Sequence, residues 1–118
     1  MKAPIIYIAG PMRGYPFYNY PAFDHAYGKL LMRFPEANIV SPANIDRMLF
    51  YFDAMKLPYD HNWKDNPPIP YMEVIAQDIE YIKKCYMVYA LKGWEKSIGA
   101  LAEVALARWL GKHIEEEV

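Results

Sequence analysis

Cysteine is nearly missing from this chain: Cys85 stands alone, so no internal disulfide can form, and no Cys/His cluster accompanies it to hold zinc. His25, His61 and His113 show neither metal-ligand spacing nor a partnered nucleophile, so no metal and no cofactor is expected. Basic excess is also missing. Thirteen Lys and Arg face 14 Asp and Glu for a formal net charge of -1, which argues against a nucleic-acid polymer as partner. Long apolar runs are absent too. The first, Ile5–Ala9, is too short for a signal peptide's apolar core or a membrane span, so the expectation is a soluble protein in the cytoplasm. Neither the P-loop pattern nor the dinucleotide fingerprint G-x-G-x-x-G occurs.

What is present fits one globular unit. At 118 residues, 54% hydrophobic and 23% charged, the chain matches ordinary domain usage, and 1–118 is read as a single domain. The surplus lies in 11 Tyr, 10 Pro and 7 Met. Ile5–Ala9 reads as a buried strand ending at Gly10-Pro11. Asn19 and Pro21 announce a helix with Phe23, Ala26, Tyr27, Leu30, Leu31 and Phe34 at helical spacing, stopped by Pro35. Asn38–Pro42 reads as a second strand, and strand-helix-strand order implies a right-handed crossover. Ile45, Met48, Leu49, Phe52 and Met55 predict a helix inside an aromatic-rich excursion at about 43–70. Tyr71–Lys84 predicts a helix with Tyr71, Ile75, Ile79 and Ile82 on one face, and Tyr86–Ala90 a third strand. Ser97–Leu110 predicts a last helix stopped by Gly111; Ile114 offers a start for a final short strand, while Glu115–Glu117 reads as a solvated tail.

Three places invite chemistry. Between Ile98 and Ala107, Glu103 is the one ionisable side chain among small and apolar neighbours; it marks either a narrow solvent-facing stripe or a carboxylate with a task. On a helical wheel Asp78 falls beside Tyr71 and Ile82, as a functional acid or as a marginal one tied to a backbone amide or Arg13. Gly10-Pro11-Met12-Arg13-Gly14 sits where ligands bind in parallel α/β sheets, at a strand's carboxyl end; it is either a plain tight turn or an anion site. Ser97 reads as an N-cap that can also donate to a phosphate. Cys85, Trp94 and Trp109 read as packing or interface residues, and Trp63 as loop packing or a ligand cover.

Ile6–Gly14, Gln77-Asp78-Ile79-Glu80 and Gly93–Glu103, in that order and spacing, resemble the nucleoside 2-deoxyribosyltransferase superfamily, and within it the small phage and bacterial members and the 2'-deoxynucleoside 5'-phosphate N-hydrolases. The resemblance leaves the 43–70 excursion uncovered. It implies a flavodoxin-like (Rossmann-like) α/β fold, a three-layer sandwich with a small parallel sheet flanked by helices. It also implies cleavage of the bond between deoxyribose and base, with release or exchange of the base. The resemblance assigns Glu103 as the nucleophile that forms a glycosyl-enzyme, Asp78 as the acid that assists base departure, and Tyr7 as the group that orients Glu103. Gly10, Pro11, Met12, Arg13, Gly14, Ser97 and Gly99 would hold the 5' end of the substrate. The implied partner is a deoxynucleoside or deoxynucleotide, in a homodimer or larger homo-oligomer.

The expectation is therefore an N-glycosidase, with hydrolysis placed ahead of base exchange. Its rivals are a nucleotide-binding module without turnover and an assembly protein using its aromatic surface. Two aromatic groups would roof the pocket: Tyr15, Pro16, Phe17, Tyr18 and Tyr20 as a base-stacking and sugar-covering loop, and Met48, Phe50, Tyr51, Phe52, Met55 and Tyr59 as lid, subunit contact or plain core.

Overall fold

The computed structural model describes residues 3–56 and 70–118. Strand β1 (Ile5–Ala9) lies at the centre of a four-stranded sheet of order β2-β1-β3-β4, with β2 at Asn38–Val40, β3 at Met87–Ala90 and β4 at His113–Glu116. Every neighbouring pair is parallel. Helix α1 (Tyr20–Arg33) joins β1 to β2, and α2 (Pro42–Leu49) follows β2. Helix α3 (Tyr71–Lys84) leads into β3, and α4 (Ile98–Trp109) joins β3 to β4.

The alternation of β1 side chains divides the core. Ile6 and Ile8 pack with Phe23, Ala26 and Leu30 of α1 on one face. Tyr7 and Ala9 pack with Ile82 of α3 and Ala100, Val104 and Ala107 of α4 on the other. Helices on both faces of a parallel sheet make the expected flavodoxin-like three-layer sandwich. After β1 the chain runs to β2 on one side and later to β3 on the other. Such a switch point opens a crevice at the strands' carboxyl ends. Among the described residues no helix is long and apolar enough to cross a membrane.

Three predicted features come out differently. The helix expected to carry Ile45 through Met55 stops at Leu49. The Phe50 and Phe52 amides both donate to the Asp46 carbonyl oxygen, and Tyr51 adopts φ 53, which takes Phe52 and Met55 off the helix axis. Of the α3 face, only Ile82 is buried; Tyr71, Ile75 and Ile79 remain more than a third exposed. The acidic tail is largely an edge strand. Pairing with β3 satisfies its backbone, Arg33 forks onto Glu115 (Nη2 to Oε1 3.0 Å), and Trp94 Nε1 donates to Glu116 at 3.0 Å. The expectations for Trp63 and for the excursion over 57–69 lie outside the described residues.

Candidate active site

The crevice holds a cavity of about 780 Å³ walled by the turn after β1, the start of α2, one face of α3 and the first half of α4. The β1 turn is fixed by close approach. An ideal Cβ on Gly10 would stand 2.7 Å from Leu91 Cδ1, so only glycine lets the chain leave β1 beside the end of β3. Pro11 has no amide proton, and its carbonyl accepts from Asn19 Nδ2 at 2.8 Å. Asn19 therefore ties the loop to the turn and does not cap α1.

Between these anchors Phe17, Tyr18 and Asn19 take φ of 52°, 56° and 60°. Left-handed backbone costs a non-glycine residue roughly 1–2 kcal/mol, and strain of this kind persists where the surroundings over-determine it. Its effect is to bury Tyr18 against the cavity wall. Arg13 lies near the Tyr18 hydroxyl, and its guanidinium stacks over the Tyr71 ring 4.4 Å from the centroid.

Helix α4 begins at Ser97, whose Oγ accepts from the Ala100 amide at 3.2 Å as the expected N-cap, leaving the hydroxyl proton free to donate. Ala100, Val104 and Ala107 pack on the sheet at i, i+4, i+7. Gly99, Glu103 and Leu106 repeat the same spacing one residue earlier and face the cavity. Glu103 is thus on neither a solvent stripe nor a core stripe. Tyr7, wholly buried on the sheet face beneath α4, donates its hydroxyl proton to Glu103 Oε2.

Asp78 enters from α3, and its Oδ1 is buried with no hydrogen-bond partner among the described residues. Burial first, and then the charge of Asp78, push the Glu103 carboxyl up, while the Tyr7 bond pulls it back. Asp78 is pushed up by burial and by Asp46, and the same Tyr7 hydroxyl pulls it back. Two desolvated carboxyls in one site share a proton. Tyr7 bears on both carboxyls, but its direct bond is to Glu103 Oε2, which favours charge there, and the unpartnered Oδ1 of Asp78 is the oxygen left to carry the proton. The Tyr7 phenol is raised well above its ordinary value by burial and so stays a donor.

Of the residues singled out from the sequence, Glu103, Asp78, Gly10, Pro11, Met12, Arg13, Ser97 and Gly99 line this one cavity, with Tyr7 directly behind Glu103. Gly14 does not line it; with φ 83 it closes the turn. Tyr15 and Tyr18 line it, whereas Tyr20 points into the core. None of the described members of the second aromatic group reaches the cavity. Met48 and Tyr51 are exposed, Phe50 and Phe52 pack against core clusters, and Tyr59 lies outside the described residues. Tyr71, Ile75 and Ile79 of α3 supply that wall instead. Sequence reasoning missed two polar wall residues. Lys96 adjoins Ser97 and was findable from that position, while Asp46 sits between Ile45 and Arg47 with no spacing signal. His25 and His113 are exposed and lie off the cavity, Cys85 is buried, and Trp109 is exposed.

A parallel α/β sandwich with a carboxylate pair at its switch-point crevice defines the class. Residues 4–116 match the family described as a domain of unknown function, DUF4406, and the chain belongs to that family. No curated protein matches it. In fold it is similar to a solved 2-desoxiribosyltransferase from Leishmania mexicana, with TM-score 0.58 and 19% identity over 96% of this chain. The chain spans 63% of the length of that structure.

Proposed function

We propose that the protein cleaves the N-glycosidic bond of a 2'-deoxynucleoside or its 5'-monophosphate. The observation that carries this reading is the Tyr7 hydrogen bond to Glu103 beside the partnerless oxygen of Asp78 in one substrate-sized cavity. Glu103, ionised and oriented by Tyr7, attacks C1' as the bond to the base breaks. Asp78 delivers its proton to the departing base. The result is a deoxyribosyl ester on Glu103 and free base. Water then attacks C1', gives its proton to Asp78 and releases deoxyribose, or deoxyribose 5-phosphate, with both carboxyls restored. The oxocarbenium-like transition state needs a negative carboxylate at C1' and an acid at the base, which is the division of charge argued above.

Arg13, Lys96, the Ser97 hydroxyl and the exposed amides at the start of α4 suit a 5'-phosphate. Gly99 leaves that end open, its nearest neighbour to an ideal Cβ being Ser97 Oγ at 4.0 Å. The likeness in fold to a named transferase supports a second reading, in which an acceptor base replaces water. The apolar mouth, with Ile98 89% exposed and Tyr71, Ile75 and Ile79 each more than a third exposed, fits association of copies of the chain.

The test is chromatography of products from a mixed panel of deoxynucleosides and deoxynucleotides, with and without an acceptor base. Free base and deoxyribose products are expected without acceptor, and new nucleosides on adding it if exchange operates. Saturable binding with no product from any member would replace the enzyme with a nucleotide-binding module.

A further inference from the structure

One acid on the cavity wall has no task in this chemistry. Asp46 of α2 is 1% exposed, and Tyr20 donates to its Oδ2 at 2.6 Å. Among the described residues the carboxylate takes no second side-chain hydrogen bond. The adjacent Arg47 does not supply one. Its guanidinium is engaged by Asp24 at 2.8 Å and Asp53 at 3.3 Å, and it stacks on the Tyr20 ring 4.8 Å from the centroid. That stack holds the phenol which in turn orients the carboxylate. Burial raises Asp46 to about 6, while the Tyr20 bond and the Arg47 charge hold it from rising further. A desolvated carboxylate with a fixed orientation and a spare lone pair is costly unless a ligand donor completes it.

The place of Asp46 indicates which donor. The cations Arg13 and Lys96 and the hydroxyl of Ser97 come from the segments after β1 and β3, whereas Asp46 comes from the β2 side, and its charge is felt both at Tyr18 and at Asp78, the acid assigned to the base. We propose that Asp46, oriented by Tyr20, reads the base edge and selects bases bearing an exocyclic amino group over those presenting a carbonyl at the same position. An amino group donates to Oδ1. A carbonyl oxygen there would set lone pairs against a buried negative charge, and a site built around a hydrogen bond rejects the analogue that cannot make it.

This inference rests on the proposed glycosidic chemistry, and two matched pairs test it apart from that chemistry: deoxyadenosine against deoxyinosine 5'-monophosphate, and deoxycytidine against deoxyuridine 5'-monophosphate. In the wild type the amino member of each pair should be favoured roughly 10-fold or more in kcat/KM. Asp46→Asn keeps the shape and the bond from Tyr20 but offers both donor and acceptor, and should bring each ratio to within about 3-fold. Tyr20→Phe keeps the charge while freeing its orientation, and should fall between. Should Asp46→Asn not fold, the wild-type ratios and Tyr20→Phe still decide. Should no base be released, the same pairs compared by binding calorimetry give the ratio in Kd, which separates failure of the chemistry from failure of the specificity. Ratios near one in the wild type, or equal losses for both members of a pair in the variants, would overturn the assignment and leave Asp46 an anchor between α2 and α1.

Discussion

The acids and the cations of the cavity wall are built on opposite principles. Asp46, Asp78 and Glu103 stand on α-helices, desolvated, with phenols behind Asp46 and Glu103. Arg13 stands on the turn after β1 and Lys96 on the single 3-10 turn before α4. Helix-borne groups locked by packing hold charge at a fixed point, as a transition state requires, while turn-borne cations suit a phosphate that is gripped equally before and during reaction. The acids should therefore govern kcat and the cations KM.

Glu103→Gln should show the largest effect, loss of base release by roughly 10³-fold or more with the fold retained, since shape is kept and the nucleophilic charge removed. Activity within a few fold of wild type would end the mechanism. Asp78→Asn comes next, with kcat lowered roughly 10²-fold and most for poor leaving bases; a loss independent of the base would move Asp78 out of the acid role. Arg13→Ala should raise KM for monophosphates roughly 10-fold while sparing nucleosides. Equal losses on both would erase the distinction between the acids and the cations.

A stability measurement tests the same comparison without substrate. Asp78 and Glu103 have carboxyls raised in the fold, so between the ordinary carboxyl range near 4 and about 7 to 8 the native state holds more protons than the unfolded chain. Stability should fall as pH rises through that window, and Glu103→Gln should flatten the fall in melting temperature between pH 5 and pH 8. A melting temperature rising over this range would contradict the burial of the pair. The smallest effect is expected from Ser97→Ala, about 1 kcal/mol of stability from the lost cap at any pH, with a modest KM increase for monophosphates and unchanged kcat.

Much of this site was legible because helical spacing is a local property. The wheel put Asp78 in the apolar arc, and the isolation of Glu103 among alanines marked it, although both also admitted a surface reading that one residue of helical phase decides. Tyr7 lay inside an apolar run with nothing local to separate it from Ile6 and Ile8. The resemblance assigned its role, and the alternation of β1 carries it beneath α4. Asp46 was illegible because its significance depends on Tyr20, 26 residues away, and on the strand order that sets β2 beside β1. The two aromatic groups looked alike in composition. Left-handed backbone at Phe17–Asn19 turns one toward the cavity, while the end of α2 at Leu49 leaves the described part of the other on the surface and in the core.

Hydrophobic period and turn residues alone were enough to determine the alternation of strands and helices, the glycine turn after β1 and the cap of α4, since each is settled within a few residues. Which acids meet, which phenol stands behind which carboxylate, and that the last glutamates continue a strand belong to the tertiary structure. Those outcomes depend on strand order, helical phase and desolvation, which arise only when distant segments close around the same crevice.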